Sequence, residues 1–318
     1  VSTPVPATAA TTPETVVTRV SLVPDGHRDF DLPLAHATRF HRLSRACLEQ
    51  LVELGFPHAS DADGLLFDRY DLRNAALLLG VRSPQRATYE AMAAALRAGG
   101  AEAAVRRTVV VRAYCPDRDG CAGCAFVLDP AVTSAPQAVA VRRPEASRFE
   151  VDILLVPAAG EGPEFTSEQR RLLDEAARLR FHLLPPGLTA DLGFLRETGL
   201  ADCTLAVRHL VSRGGELGVS VRPATGLCLS RPFANRHHWL ELCDPEGRWW
   251  PADPFFLRAL VDWGLLAAAD WPAHRSPTNA YWRVDLPMDV PMLRHLGAGG
   301  SAGGSSPERL GPAYFLVQ

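Results

Sequence analysis

The amino-acid sequence predicts an α+β fold, on three observations. Short β-branched runs bounded by turn residues are mixed with Ala/Leu-rich helical patterns through the first half. A later segment has apolar residues at one-face helical spacing, from Cys203 through Ala206, Val207 and Leu210 to Val211. A third reads as an antiparallel hairpin, with arms over 237–243 and 248–254 around Asp244-Pro245-Glu246-Gly247. Taken in order, residues 1–15 are Thr/Pro/Ala-rich and are expected to be a flexible tail. Val16 to Val23 reads as a strand, and 36–54 and 87–98 as helices. Strand-like runs follow at 107–113, 125–128, 137–141 and 149–156. Residues 16–160 thus form an N-terminal α+β region of unknown role. Gly160 to Glu164 reads as a connector, and a helix is expected from Thr166 or Ser167 to about His182. Pro185-Pro186-Gly187 ends it, and residues 161–296 form the second domain. Gly297 to Ser306 is a Gly/Ser-rich linker, and 312–318 is apolar enough to dock back onto the body.

Composition limits the function classes. Apolar residues make up 47% and charged residues 22% of 318, enough for a sizeable core. A net charge of −3 gives no broad electrostatic case for nucleic acid. No apolar run approaches the ~20 residues that cross a bilayer, so no membrane partner is expected. Residues 1–15 lack the basic region and apolar core of a secretory signal. All 33 basic residues are arginine, a bias that fits a GC-rich bacterial coding sequence. Seven cysteines, an odd number, in a chain with a large core predict reduced thiols in the cytoplasm.

Cys203 follows Gly199-Leu200-Ala201-Asp202 and opens the one-faced helix, which Gly214-Gly215 is expected to stop. A first-turn cysteine feels the positive end of the helix dipole, which favours the nucleophilic thiolate. Alone, a buried structural cysteine is the commoner reading. His237 and His238 lie on the first arm of the hairpin and Asp253 on the second. With Cys243 opposite Arg248, His238 faces Asp253; with a loop one residue longer, His237 does. In either register a carboxylate meets an imidazole, where it would fix the tautomer. Alone, a surface ion pair explains this equally well. Cysteine, histidine and aspartate together make a thiol-nucleophile arrangement.

At these residues the sequence resembles the transglutaminase-like superfamily, which shares the papain fold. Leu195-Arg196-Glu197-Thr198-Gly199-Leu200-Ala201-Asp202-Cys203 looks like the family's approach to its nucleophile, with Ala201 in place of a common glycine. The run 217–226 looks like the following strand. His237-His238-Trp239-Leu240-Glu241-Leu242 matches His-x-Trp-apolar-Glu-apolar, and Trp250-Pro251-Ala252-Asp253-Pro254 the closing Asp-Pro. The likeness covers about residues 185–257 and implies a C-terminal papain/transglutaminase-like catalytic domain. It implies a Cys203, His237, Asp253 triad, with His237 rather than His238 chosen by the His-x-Trp spacing. It implies an acyl-thioester on Cys203 passed to an amine or to water, with no cofactor required. The expected partners are an acyl donor and an amine acceptor, with an acyl or peptidyl carrier protein as one donor. Amide formation in bacterial secondary metabolism is the first expectation, a cysteine peptidase or amidase the second, and a non-catalytic interaction module the third. Relatives often carry a Trp, Tyr or Gln upstream of the cysteine that helps bind the oxyanion. All six tryptophans here follow Cys203, so no upstream partner is assigned; the Cys203 backbone N–H is one donor.

Cys115, Cys121 and Cys124 form a separate cluster, in which a Cys-x-x-Cys knuckle plus one thiol could hold a structural zinc. No fourth ligand is adjacent, and unmetallated thiols or a local disulfide are the alternatives. Cys228 and Cys243 read as packing residues. Trp239, Trp249, Trp250, Phe255 and Phe256 read as core, with an acyl pocket as the alternative, and 263–282 as an ordinary loop or a lid.

Overall fold

The computed structural model describes residues 11–99, 104–115, 124–156, 163–296 and 313–318. The chain forms an α+β fold in two compact units whose segments interleave along the sequence. One unit comprises residues 1–93, 173–209 and 254–273; the other comprises 94–172, 210–253 and 274–318.

The first unit opens on a helix, Pro13–Val20, where the sequence predicts a strand over 16–23. Local capping outweighs β-branched composition here. The Thr12 hydroxyl accepts the Thr15 N–H, Pro13 sits at the first helical position, and Glu14 faces the positive end of the dipole. Val16, Val17 and Val20 then fall on one buried face. The helix expected over 36–54 is two helices, Leu34–Phe40 and Arg45–Glu53. Between them Arg42 adopts φ 60°, and Ser44 starts the second helix by accepting the Cys47 N–H at 3.1 Å. Strands Phe30–Pro33, Gly64–Asp68 and Ala59–Asp61 form a small antiparallel sheet around Phe67, which packs with Phe56, Leu48, Leu51 and Leu72.

The helix expected from 166 or 167 to about 182 ends early. It runs Ser167–Glu175, and after one tight turn the chain becomes the short strand Arg180–Phe181. That strand pairs in parallel with Leu200–Ala201, Phe181 opposite Ala201. Phe181 belongs to an aromatic cluster in the first unit. Its ring lies 5.0 Å from Trp263 and 5.6 Å from Phe255, and Tyr89 lies 4.9 Å from Trp263.

The second unit is built on one eight-stranded antiparallel sheet. Across it run Tyr281–Val284, Val221–Cys228, Phe233–Cys243, Ala313–Val317, Val105–Ala113, Arg148–Leu155 and Ala138–Glu145, with Trp249–Ala252 added beside Phe233–Cys243. The sheet takes strands from both sides of the 160–164 connector. The C-terminal strand docks back between Phe233–Cys243 and Val105–Ala113. A separate two-stranded ribbon joins Ala125–Leu128 to Leu293–Leu296. Val111, Val151, Ile153, Trp282, Leu293 and Phe315 share the unit's core. Among the described residues no helix is long and apolar enough to cross a membrane.

Candidate active site

Cys203 belongs to the first unit. Gly199, at φ 67°, ends the Leu192–Thr198 helix in the left-handed conformation that glycine adopts at little cost. Two strand residues follow, and Cys203 is the first residue of the helix Cys203–Glu216. Asp202 caps that helix, its Oδ1 accepting the Leu205 N–H at 2.8 Å. Burial pushes the Asp202 carboxyl up to about 6, against the pull of the Leu205 and Thr204 amides. Cys203 is partly exposed, as a nucleophile in the first turn of a helix needs to be. Gly214 and Gly215 lie inside this helix rather than ending it. A Cβ on Gly214 would collide with Val221 and lie 3.2 Å from Leu172 Cδ2, so this glycine permits close packing. The chain turns instead at Gly218, at φ 68°.

Tyr89 lies in the same unit as Cys203, and the sequence gives no sign of it. It is buried, and burial first, then the negative charge of a Cys203 thiolate, push its phenol up. The ring therefore stays neutral and keeps its O–H as a donor. Tyr89 stands 114 residues before Cys203 on the helix Pro84–Ala98, and no local pattern ties the two together.

His237 and Asp253 belong to the second unit, and there they meet. His237 Nε2 lies 2.6 Å from Asp253 Oδ2, with the two side chains 3% and 4% exposed. The hairpin register is neither of the two expected. Cys243 stands opposite Trp249 and Leu240 opposite Ala252, across a five-residue loop. Asp244 closes that loop by accepting the Arg248 N–H at 2.8 Å and the Trp250 indole N–H at 2.8 Å. One step beyond Ala252 this frame puts Trp239 level with Asp253, so His237 reaches the carboxylate along the diagonal. The loop has the longer of the two expected lengths, but its fifth residue is Arg248 from the second arm rather than Cys243 from the first. His238 points to the opposite face, its Nδ1 3.1 Å from Thr225 Oγ1.

Tyr281 completes the buried group. Its hydroxyl donates to Asp253 Oδ2 at 2.6 Å, the same oxygen that His237 contacts. Its ring stands edge-on to His237 at 5.2 Å and lies 4.8 Å from Trp239. Gly226, opposite His237 on the neighbouring strand, makes room for the Trp239 ring: a Cβ there would lie 2.7 Å from Trp239 Cη2. The Trp239 indole N–H is buried and makes no hydrogen bond among the described residues. With Nε2–H engaged by Asp253, Nδ1 is the basic nitrogen of His237.

A cavity of about 390 Å³ adjoins this group within the second unit. Trp239, Trp249, Trp250 and Tyr281 form its aromatic walls, and Arg248, Glu241 and Arg283 its polar ones. Glu241 Oε2 pairs with Arg222 at 2.7 Å and with Arg283 at 3.2 Å. From the segment 263–282, Pro277, Thr278 and Asn279 line the same cavity. The Ser276 hydroxyl fixes that stretch by donating to the Pro251 carbonyl at 2.6 Å. The five aromatic residues grouped in the sequence therefore divide. Three tryptophans face the cavity, whereas Phe255 and Phe256 pack in the aromatic cluster of the first unit.

The other cysteines take different places. Cys228 is fully buried, and burial, followed by the charge of Asp253, pushes its thiol up, which makes it unreactive. The Cys243 carbonyl accepts the Gln169 side-chain amide at 2.7 Å. Cys115 and Cys124 lie in the second unit; Cys121 lies outside the described residues.

No family model matches the chain, and no curated protein matches it. Among solved structures it is similar to a "Putative Cysteine Protease from Cytophaga hutchinsonii" at 10% identity and a TM-score of 0.24, over 68% of this chain and 95% of that one.

Proposed function

We propose that the protein is a thiol-dependent acyl-transfer enzyme of the transglutaminase-like kind. The observation that carries this reading is the buried 2.6 Å contact between His237 and Asp253, made on the hairpin that follows a helix-opening cysteine. A buried carboxylate held on Nε2 orients an imidazole and stabilises its protonated form, which is the task of the third member of a triad. Cys203 supplies the nucleophile. Its sulfur forms a bond to the acyl carbon, the bond to the leaving group breaks, and His237 delivers the proton that the leaving group needs. An amine then attacks the thioester, His237 takes the amine proton, and the thiol is regenerated as the amide leaves. The Cys203 backbone N–H is one oxyanion donor. The aromatic cavity takes the apolar part of the acyl donor or of the acceptor, and a carrier protein is one source of the acyl group. A reducing cytoplasm, which keeps the thiols free for this chemistry, is the compartment we assign.

The test is to trap the acyl-enzyme. Wild-type protein and Cys203→Ala are incubated with a panel of acyl thioesters, and intact mass and peptide mapping locate the adduct. An adduct on Cys203, released faster by added amine than by water, supports an amide-forming transferase. Release by water alone would make it a hydrolase with the same triad. Turnover retained by Cys203→Ala would refute the nucleophile assignment.

A further inference from the structure

Cys115, Cys124 and His295 bring one ligand atom each to within 4.8 Å of one another. The three come from separate stretches of the second unit. Cys115 stands just past the end of Val105–Ala113, Cys124 immediately precedes Ala125–Leu128, and His295 lies in Leu293–Leu296. The ribbon register explains the convergence. His295 stands opposite Phe126, two residues after Cys124, with the two rings 5.2 Å apart. We propose that Cys115, Cys124 and His295 are ligands of a structural zinc ion. The sequence offers the two cysteines as candidates; the histidine is 171 residues from Cys124 and is added by strand pairing alone.

The donor set selects the metal. Two thiols and an imidazole suit zinc, whereas magnesium and calcium need oxygen ligands, and none of the three is a carboxylate. Tetrahedral zinc with Zn–S near 2.3 Å and Zn–N near 2.0 Å holds its ligand atoms about 3.5–3.8 Å apart. Atoms already inside 4.8 Å reach that spacing by small side-chain rotations. A disulfide would use the thiols alone and give no reason for the imidazole to converge on them. Binding releases the thiol protons, so affinity rises with pH. Cys121, at Cys-x-x-Cys spacing from Cys124, lies outside the described residues, and the three placed ligands define the site without it.

The ion would do a definite job. The ribbon has two strands of four residues each, too little pairing to hold itself together in water. Zinc would fasten both strands to the end of Val105–Ala113, which runs through the eight-stranded sheet. This role is structural and independent of the triad chemistry, so either can fail without the other.

The experiment uses the full chain, purified without chelator and analysed for metals, then stripped and titrated with cobalt as a spectroscopic probe. One equivalent of zinc is expected, with a lower melting temperature after stripping. Cobalt should give tetrahedral bands with thiolate charge transfer. His295→Ala should bind zinc about tenfold or more weaker, whereas His295→Cys should retain it with a stronger thiolate band. On wild-type protein, Cys115 and Cys124 should resist alkylation until the metal is removed, a readout that needs no variant to fold. Absence of zinc together with no cobalt spectrum would overturn the proposal. So would His295→Ala binding zinc as tightly as wild type, or equal alkylation before and after stripping.

Discussion

Asp253→Asn should leave His237 in its native tautomer, and Tyr281 is the reason. In other triads the amide presents its NH2 to the imidazole and inverts the tautomer, at a loss near 10⁴ in turnover. Here His237 and Tyr281 both contact Oδ2, each at 2.6 Å. An asparagine that places its carbonyl oxygen at that position keeps both donors satisfied. One that places its NH2 there turns the Tyr281 hydroxyl into an acceptor and takes away the oxygen to which its own proton is donated. Loss of that buried acceptor costs at most about 1–3 kcal/mol, so the carbonyl-in orientation is favoured by up to roughly 5- to 150-fold. His237 then stays protonated on Nε2, and the cost to catalysis is the missing charge alone, smaller than ~10⁴. The assay needs no substrate. Imidazole ¹⁵N shifts of histidine-labelled protein report which nitrogen carries the proton, with His237→Gln as the assignment control. In Asp253→Asn, Tyr281→Phe the hydroxyl is gone, the amide loses its orienting partner, and both tautomers should appear. A folded single variant Asp253→Asn with His237 protonated on Nδ1 would refute the reasoning.

Three further outcomes are expected. Cys228→Ser and Cys243→Ser should keep most turnover in the acyl-transfer assay, because neither thiol is placed as a nucleophile; loss of adduct formation in a folded Cys243→Ser would contradict that. Between about pH 6.5 and 4 two opposed effects are expected: burial holds His182 down at about 3 and His41 down at about 4, which costs stability as pH falls, and holds Asp71 up at about 7 and Asp202 up at about 6, which adds stability. Both histidines stay neutral in the folded chain while the unfolded chain takes up their protons, so each removes up to ~1.4 kcal/mol per pH unit, and His41→Gln, His182→Gln should make the urea midpoint rise as pH falls over that range; a folded double variant with the wild-type pH profile would show that neither histidine is held neutral. Gly226→Ala should destabilise the second unit by about 1–3 kcal/mol through overpacking against Trp239 and Trp282, read by urea unfolding and tryptophan fluorescence.

How much of this was visible in the sequence depended on the range of the interaction. Strands 105–113, 125–128 and 148–155 follow from β-branched runs between turn residues, and the helix at Cys203 from its apolar spacing. The sequence predicts a strand at the first helix because Val16, Val17 and Val20 suit one, while the deciding Thr12-Pro13-Glu14 cap lies before them. The sequence carries the helix past Glu175 because Leu172, Ala176, Leu179 and Leu183 keep an apolar helical spacing. What ends the helix is the pairing of 180–181 with 200–201, a contact twenty residues away.

The histidines show where local and non-local information part. Alternation along a strand separates His237 from His238, since neighbours on a strand face opposite ways, and it holds in any register. The register itself depends on the turn, where one side chain, Asp244, holds Arg248 and Trp250 and sets the loop at five residues. That shift should have carried His237 away from Asp253. It does not, because Asp253 lies past the last paired residue, Ala252, where the chain is leaving the strand and its side chain is free of the pleat. Tyr281 then fixes the carboxylate from a third strand, and no spacing in the sequence connects Tyr281 to Asp253 before the sheet is assembled. The His–Asp pair was thus legible from alternation, whereas the hydroxyl that decides its tautomer came only with the sheet order.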